Sequence, residues 1–392
     1  MKTIYLDYAA TTPVKKEVVD VMLPYLTENF GNPSSVYQFA QVNKKAIDEA
    51  RECIAKHLGA NTNEIFFTGS GTEADNWAIK GIAEANRQKG NHIITTKIEH
   101  HAVLHTCEYL EKQGYEVTYL DVDEKGLINL DALKTAIKET TILITVMYAN
   151  NEIGTIMPIH EIGQIAKERG IAFHTDAVQA IGQIEINVKD QNIDALSLTA
   201  HKIGGPKGIG ALYIRRGLKV AQLIHGGAQE RGRRGGTENV AGIVGFAKAM
   251  ELAYGTFEQK IAHLTELRDY LIDGVLKSIP YATLNGHPTK RLANNVNIGF
   301  EFVEGESLLL LLDMNGVAAS SGSACTSGSL DPSHVLLATG IPHEKAHGSV
   351  RMTLGETTTI EELDFVLEKL PAIVQRMRDM SPLYEDFIKN KA

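Results

Sequence analysis

The chain has 392 residues, 43% hydrophobic and 22% charged, a composition typical of a folded globular protein that excludes a disordered or collagen-like chain. Its 39 basic and 48 acidic residues give a formal net charge of −9, which excludes an overall basic field for nucleic acid or an anionic membrane surface. The longest apolar run, 308–312, is far shorter than the ~18 residues of a membrane span. Asp7 interrupts any signal-peptide core.

From about residue 44 to residue 225, helical and strand-like patterns alternate. Apolar residues at helical spacing predict a helix over 44–58, with Gly59 as its stop. Further helices are predicted over 73–88, 130–138 and 159–169. Short apolar runs, often β-branched, predict strands over 64–68, 92–96, 116–120, 142–148, 172–175, 195–198 and 210–214. This alternation indicates an α/β fold with a mostly parallel sheet and helices on both faces, so ligands are expected at the carboxyl ends of the strands.

The pattern changes after about residue 250. A long helix is predicted over 258–278, followed by a strand over 295–300, an apolar helix over 307–314 and a pair of C-terminal helices. This order predicts a second, smaller α+β domain whose boundary lies near residue 257.

The three cysteines, Cys53, Cys107 and Cys325, are too few and too widely spaced for a disulfide framework or a structural zinc site. They indicate a reducing, cytoplasmic setting. Cys53 and Cys107 lie in helical patterns and are interpreted as packing residues. Cys325 lies within ten consecutive small residues, 320–329, which cannot pack a core and predict a mobile loop. Its thiol would be open to small molecules, or it is an incidental thiol in a flexible linker.

Two charged residues follow predicted strands. Lys202 comes just past one strand and before a turn rich in glycine and proline, and a desolvated lysine there could form a Schiff base. Asp176, 26 residues earlier, ends another strand, where a carboxylate could keep a pyridine nitrogen protonated. Pyridoxal 5'-phosphate (PLP) enzymes use that pairing, because a protonated ring is a better electron sink. Taken singly, a surface lysine and a helix N-cap aspartate are the simpler interpretations.

A third segment, T-G-S-G-T-E-A-D-N at 68–76, places a small polar loop between a predicted strand and a helix. Unpaired amides at the helix start, together with the Thr72 hydroxyl, would form an anion site suited to phosphate. The segment matches neither a Walker loop nor a dinucleotide-binding fingerprint. Because glycine-rich turns of this kind are frequent, it is informative only beside Lys202 and Asp176.

Together these segments resemble the cysteine desulfurases, PLP-dependent enzymes of the class V aminotransferase family with the fold-type I architecture. The similarity runs in the family's order from residue 5 to about residue 355. Its segments are YLDYAATTP at 5–13, GNPSS at 31–35, TGSGTEADN at 68–76, EHHAV at 99–103, NNEIG at 150–154, HTDAVQ at 174–179, AHK at 200–202, RGRRGGTEN at 231–239 and the cysteine loop. The long small-residue loop is similar to the group I type, which supplies sulfur for iron–sulfur clusters and thionucleosides.

The resemblance implies a large PLP-binding α/β domain over 14–257 and a small α+β domain built from 1–13 and 258–392. The small domain would carry the cysteine loop at about 318–332. Thr199 stands where the family usually has serine, and Tyr37 where histidine is frequent. Neither departure removes a group that the chemistry needs.

The resemblance also implies roles for individual residues. Lys202 would hold the cofactor covalently and later move protons, His100 would stack on its ring and assist proton transfer, and Cys325 would accept the sulfur atom. Asp176 would pair with the pyridinium nitrogen, and Gln179 would form a hydrogen bond with the ring hydroxyl. The phosphate would be bound by Gly71, Thr72, Thr199, His201 and a partner subunit's copy of Thr237. Asn151 would contact the cofactor or the substrate carboxylate, and Asn32 and Arg351 would bind that carboxylate.

The implied activity is removal of sulfur from L-cysteine, giving L-alanine and a persulfide on Cys325, in a cytoplasmic homodimer. Sulfur would pass to an acceptor protein, either an iron–sulfur cluster scaffold or a tRNA thiolation enzyme. No resident metal is expected, although Cys325 could transiently ligate an iron–sulfur cluster. Direct contact with nucleic acid or with a membrane is not expected.

Three other functions fit parts of the sequence. An ordinary aminotransferase would need the lysine and the aspartate but not Cys325, and a non-catalytic partner in sulfur metabolism would keep only the fold. A zinc protein could use His100, His101 and His105, although the sequence offers no matching cysteine or carboxylate set. The basic segment 231–234 could bind an anion or RNA, but we expect it to border the cofactor across a dimer interface.

Overall fold

The computed structural model describes residues 3–321 and 332–391. Cys325 and most of the predicted cysteine loop lie outside the described residues. The strands are β1 (Ile4–Tyr5), β2 (Ile65–Thr68), β3 (His92–Thr96), β4 (Glu116–Leu120), β5 (Thr141–Thr145), β6 (Ala172–Asp176), β7 (Ala195–Thr199), β8 (Gly210–Ile214), β9 (Ala282–Leu284), β10 (Asn295–Phe300), β11 (Val317–Ala318) and β12 (Ser349–Thr353). The helices are α1 (Lys16–Met22), α2 (Pro24–Thr27), α3 (Gln38–Leu58), α4 (Gly71–Asn86), α5 (His101–Glu111), α6 (Leu130–Ala136), α7 (Ile159–Arg169), α8 (Gln229–Gly232), α9 (Val240–Gly255), α10 (Phe257–Ser278), α11 (Gly305–Met314), α12 (His334–Ala338), α13 (His343–Ala346), α14 (Ile360–Asp379) and α15 (Pro382–Lys391).

The large sheet has seven strands in the order β2-β8-β7-β6-β5-β3-β4. Strand β8 pairs antiparallel with both β2 and β7, whereas the other pairs are parallel. The prediction of a mostly parallel sheet is therefore confirmed. Because β3, β5, β6 and β7 run in one direction, their carboxyl ends lie at one edge of the sheet.

Helices cover both faces of this sheet, as the sequence pattern predicts. Successive strand residues point to opposite faces. In β2, Phe66 packs in a core with α4 and α5, whereas Ile65 and Phe67 pack in the core that contains α3, α7 and α9. The sheet, including the edge at which its parallel strands end, is thus packed between two apolar layers.

A further core surrounds a three-stranded antiparallel sheet, β12-β10-β9, and includes residues of α10, α11 and α14. The N-terminus joins this core, because Leu6 is buried in it and β1 pairs in parallel with β11. Val335 and Ala346, by contrast, pack in the core beside the large sheet. The limits of the two predicted domains remain a prediction.

Several element ends differ from the sequence prediction. Helix α4 begins at Gly71 rather than at residue 73, because the Ser70 side chain accepts a hydrogen bond from the Glu73 amide and so caps the helix. The strand predicted over 142–148 ends at Thr145 as a regular strand, although the Val146 and Tyr148 amides still donate to the carbonyls of His174 and Asp176 on β6. The stop at Gly59 is confirmed, since this glycine takes the left-handed conformation with φ 65°. Across residues 3–321 and 332–391, no helix combines the length and apolar character that crossing a bilayer requires.

Candidate active site

A cavity of about 340 Å³ opens beside the carboxyl ends of β6 and β7. Most of the residues that the sequence singled out line it together, although they come from distant segments. The predicted residues in its lining are Gly71, Thr72, His100, Asn151, Asp176, Gln179, Thr199, His201, Lys202 and Arg351.

Lys202 lies in a short 3₁₀ helix, Ala200–Lys202, directly after β7. Its ammonium donates hydrogen bonds to the carbonyl oxygens of Ala9 and of Ala10, the latter at 2.8 Å. The Gln179 amide donates to the same Ala9 carbonyl at 3.0 Å. Ala9 and Ala10, at the end of the segment 4–10 that is here named the N-terminal strap, therefore form one wall of the cavity beside the lysine.

Asp176 is the last residue of β6 and is 6% exposed. Its Oδ1 accepts a hydrogen bond from the Val178 amide at 2.9 Å, and a turn rather than a helix follows. Burial raises the pKa of Asp176 to about 6, against the lowering effects of the Val178 amide and the Lys202 charge. Because the Val178 amide and the Lys202 charge offset only part of the effect of burial, a further cation facing Asp176 would lower its pKa and stabilise the carboxylate.

His100 caps the N-terminus of α5, where its Nδ1 accepts a hydrogen bond from the Ala102 amide at 3.1 Å. Burial, followed by the charge of Lys202, lowers the pKa of His100 to about 4. The pKa of His201 is lowered to about 4 by burial and then by the same lysine. Both imidazoles are therefore neutral near physiological pH, and a neutral ring at His100 suits stacking on an aromatic cofactor.

The start of α4 forms a cradle for an anion. Gly71 and Thr72 are its first two residues, and their position at the positive end of the helix favours a phosphate group. A Cβ at residue 71 would lie 2.6 Å from Val178 Cγ2, so only glycine permits this approach. The Thr199 hydroxyl lies in the lining but donates its proton to the Ile209 carbonyl at 3.0 Å, leaving its lone pairs for another donor.

Arg351 lies on β12 and is 3% exposed. Its Nη2 donates to Asp7 Oδ1 at 2.8 Å, and its Nη1 donates to the Asn151 carbonyl at 3.0 Å. Within the described residues its buried Nε has no hydrogen-bond partner. An arginine in this position retains donor capacity for a carboxylate ligand.

Three predicted site residues are not in this cavity. Asn32 is exposed, and its side chain accepts a hydrogen bond from the Ser34 amide at 2.9 Å. Thr237 lines a separate cavity of about 200 Å³. Cys325 lies outside the described residues. The roles of all three stay predictions.

The loop that carries Thr237 is fastened by two ion pairs, one to the phosphate cradle on α4 and one to α3. Arg234 donates to Glu73 on α4, and the Gly69 amide donates to the same carboxylate at 2.8 Å. Glu230 is buried and accepts two hydrogen bonds from Arg51, at 2.7 and 2.9 Å. Since Arg234 is paired with Glu73, the basic segment is not simply a free cationic surface.

Sequence reasoning missed two buried carboxyl groups. Asp75 on α4 is 1% exposed and lines the cavity, and Glu99 follows β3. Glu99 accepts hydrogen bonds from the Thr96 hydroxyl at 2.7 Å and from the Met147 amide at 2.9 Å. Burial raises the pKa of Asp75 well above its ordinary range and that of Glu99 to about 8. Both residues belong to the motif segments, but no pattern in those segments distinguishes a buried carboxyl group from a solvated one.

The histidines of the zinc hypothesis lie close together, with ring centroids of His101 and His105 5.0 Å apart and those of His101 and His334 4.7 Å apart. Even so, no group of three or more His, Cys, Asp or Glu side chains in the described part of the chain could hold a metal ion. The zinc hypothesis gains no support from this arrangement.

The cavity fits PLP on its own residues. It presents a primary amine, a buried carboxyl group, a neutral imidazole and a helix start that only glycine allows to come so close. These four features match an aldehyde, a pyridine nitrogen, an aromatic ring and a phosphate, respectively.

Fold and site define a PLP-dependent enzyme of the class V aminotransferase type. The sequence model of the family described as Aminotransferase class-V matches residues 4–366, and the chain belongs to this family.

The chain is similar to curated relatives described as cysteine desulfurase IscS. The relative from Methanosarcina thermophila is 64% identical over 97% of this chain and 94% of its own length. The relative from Clostridium botulinum strain Hall is 60% identical over 100% of this chain and 99% of its own length. The chain is thus a member of the PLP-dependent cysteine desulfurases.

Solved structures agree with this assignment. A NifS-like protein has a TM-score of 0.90 at 38% identity and covers 95% of this chain and 99% of its own. A structure described as SspA in complex with cysteine has a TM-score of 0.81 at 39% identity and covers 91% of this chain and 100% of its own.

Proposed function

We propose that the protein removes the sulfur atom from L-cysteine, using PLP held at Lys202, and delivers this sulfur as a persulfide on Cys325. The observation that carries the proposal is the convergence of Lys202, Asp176, His100 and Arg351 on one cavity in a chain of the cysteine desulfurase family. These residues supply an amine, a carboxyl group, an imidazole and a guanidinium, and each of these groups matches one part of the cofactor or of the amino acid.

PLP, when bound, supplies an electron-withdrawing ring that stabilises negative charge at the substrate's α-carbon. Lys202 would hold the cofactor through Nζ, and the same amine, once free, would take up the α-proton of the substrate. Asp176 holds the proton on the ring nitrogen through charge pairing. The guanidinium of Arg351 orients the substrate carboxylate, so that the α-proton faces the lysine.

Cys325 performs the sulfur transfer as a thiolate, because the thiol itself is a weak nucleophile at its ordinary pKa of ~8.5. A sulfur–sulfur bond forms between Cys325 and the substrate, and the carbon–sulfur bond of the substrate breaks. The electron pair of the broken bond stays on the substrate carbon, which is protonated to give L-alanine. The outer sulfur atom of the persulfide then passes to an acceptor protein in the cytoplasm. For this acceptor, an iron–sulfur cluster scaffold or a tRNA thiolation enzyme is proposed.

We also propose that the protein is a homodimer in which Thr237 serves the cofactor of the partner subunit. Thr237 does not line the cavity of its own chain, which supports a role across an interface. Large apolar side chains near the N-terminus are exposed in the single chain, and a second copy would cover them: Leu23, Leu26, Phe30, Val36, Phe39 and Val42.

The test of the function is the release of alanine and sulfide from L-cysteine by the purified protein, with a reducing thiol and without a keto acid. Equal and catalytic amounts of both products are expected. The Cys325→Ala variant should retain bound cofactor, seen in its visible absorption, and should lose sulfur release.

Two results would contradict the proposal. Turnover that appears only when a keto acid is added would identify an ordinary aminotransferase. Normal turnover of cysteine by the Cys325→Ala variant would mean that this thiol is not the acceptor.

A further inference from the structure

The N-terminal strap places an acidic side chain against the arginine of the carboxylate subsite. Asp7 Oδ1 lies 2.8 Å from Arg351 Nη2, and both side chains are largely withdrawn from solvent, at 19% and 4% exposure. Asp7 itself is absent from the lining of the cofactor cavity. Its side chain reaches the site through the guanidinium, and the function proposed above gives it no role.

Two of the five N–H donors of Arg351 have fixed acceptors. One Nη2 proton is donated to Asp7, and one Nη1 proton is donated to the Asn151 carbonyl at 3.0 Å. Nε is buried and lacks a partner within the described residues. A buried charged donor without a partner is unusual in a folded protein, and it points to an acceptor that arrives with a ligand.

Asp7 is held rigidly enough to define where the guanidinium lies. On one side of it, the Leu6 amide donates to the Ala318 carbonyl at 2.8 Å, and the Leu6 carbonyl accepts from the Thr353 amide at 2.7 Å. On the other side, the Ala9 amide donates to the Thr353 hydroxyl at 2.8 Å. The strap is thus hydrogen-bonded to β11 and β12 before and after Asp7, and β12 is the strand that carries Arg351.

The Asp7 carboxylate fixes one terminal nitrogen of the planar guanidinium and the Asn151 carbonyl fixes the other, so the two single hydrogen bonds together restrict the group to one orientation. Without Asp7, the long arginine side chain would regain rotamers that do not present its free edge to the substrate. The Asn151 carbonyl alone fixes one donor and leaves rotation about that contact.

We propose that Asp7 is a positioning residue for recognition of the substrate carboxylate, because it holds the Arg351 guanidinium in the orientation that leaves Nε for the ligand. This inference rests on the proposed function, in which Arg351 binds the carboxylate of L-cysteine. It predicts a defect in binding of carboxylate-bearing amines and no defect toward an amine that lacks the carboxylate.

The experiment uses the holoenzyme and compares wild type with Asp7→Ala. For L-cysteine, KM should rise about tenfold, as expected when a buried charge pair loses one partner, whereas kcat should change less than about twofold. The cofactor's absorption change reports binding of L-alanine and of ethylamine, which is alanine without its carboxylate. Asp7→Ala should weaken alanine binding about tenfold and leave ethylamine binding as in wild type.

Glu356→Ala is the matched control, because Glu356 forms an ion pair of similar length, 2.7 Å, with Lys15 and has no contact with Arg351 in the structure. Its KM for cysteine should equal that of wild type. Should Asp7→Ala not yield folded holoenzyme, Asp7→Asn provides the same comparison, with a smaller rise in KM in the same direction.

An unchanged KM, an effect confined to kcat, or equal loss of alanine and ethylamine binding would overturn the positioning role. The alanine and ethylamine titrations do not depend on turnover. A wild-type protein that releases no sulfide would therefore contradict the proposed function, while the titrations would still decide the role of Asp7.

Discussion

At the scale of single residues, the cavity is lined and backed by carboxyl groups that resist ionisation. Glu99 is fully buried, and its oxygens accept hydrogen bonds from Thr96 and from the Met147 amide. These bonds lower its pKa, yet burial outweighs them and raises the pKa to about 8. The folded protein therefore keeps a proton on Glu99 at a pH at which the unfolded chain has lost it.

This proton gives the stability a definite pH dependence. Because the pKa of Glu99 is higher in the folded protein, about 8, its contribution to the free energy of unfolding is greatest below the ordinary glutamate pKa. That contribution is lost as the pH rises from the ordinary glutamate pKa to about 8, by about 5 kcal/mol in all. Urea denaturation of the cofactor-free protein at a series of pH values measures the loss, and the Glu99→Gln variant should lack it.

Glu124→Gln is the control for this prediction, since Glu124 is exposed and should leave the pH profile as in wild type. If Glu99→Gln shows the same fall in stability with pH as wild type, the titration belongs to another group.

At this scale, the site residues that could be predicted from the sequence are those that lie at the ends of strands. Lys202 and Asp176 were identifiable because both follow apolar runs, and the ends of parallel strands meet at one edge. The ion pair between Asp7 and Arg351 joins residues 344 positions apart, and no local pattern marks it. Asp75 and Glu99 were also missed, because an acidic residue in an apolar stretch gives no sign of whether its carboxyl is buried or solvated.

At the scale of elements, the loop around α8 is held in a costly conformation. Glu230 and Arg231 have φ values of 45° and 58°, a left-handed region that non-glycine residues rarely occupy. Arg51 holds this conformation from α3, since it donates to both oxygens of the buried Glu230 carboxylate. The Phe67 amide of β2 donates to the same carboxylate at 3.0 Å.

Replacing Glu230 by alanine should therefore destabilise the protein by about 3–5 kcal/mol, because Arg51 would be left as an uncompensated buried charge. The shift of the denaturant midpoint measures this loss. The double variant Arg51→Met with Glu230→Leu should lose less than Glu230→Ala alone, since no buried charge remains.

Asp273→Ala is the control, because Asp273 forms an exposed i,i+4 pair with Lys277 that contributes less than about 1 kcal/mol. A loss of similar size in Asp273→Ala and Glu230→Ala would contradict the argument from burial.

Helix α3 shows where patterns in elements succeed and where they fail. Its end at Gly59 was predictable from the glycine alone. Its first turn was missed because Phe39 and Val42 are exposed there while Asn43 is buried, so the apolar residues lie on the outer face. Strand β5 is shorter than predicted because residues 146–148 stay buried and keep two hydrogen bonds to β6 without regular strand geometry. Burial alone does not distinguish a strand from such an extended segment.

At the scale of the whole molecule, a complete site is proposed to need two chains. A dimer formed from one Lys202→Ala subunit and one Thr237→Ala subunit tests this directly. If Thr237 serves the partner's cofactor, the subunit that retains Lys202 receives an intact Thr237 from the other chain. Co-expression of the two inactive variants should therefore restore cysteine turnover, measured as alanine released per bound cofactor.

Each variant expressed alone is the control and should remain impaired. If Thr237 acts within its own chain, the mixed dimer contains no complete site, and co-expression would restore nothing.

The N-terminal strap also has a consequence for synthesis on the ribosome. Leu6 and Asp7 are synthesised about 345 residues before their partners on β12. At roughly 5–20 residues per second, the strap waits roughly 20–70 s for the strand it must join. During that interval the large sheet can form, yet the wall beside Lys202 and the fixed arginine are missing. A nascent chain therefore completes the wall beside Lys202 and fixes the Arg351 guanidinium only after β12 has been synthesised.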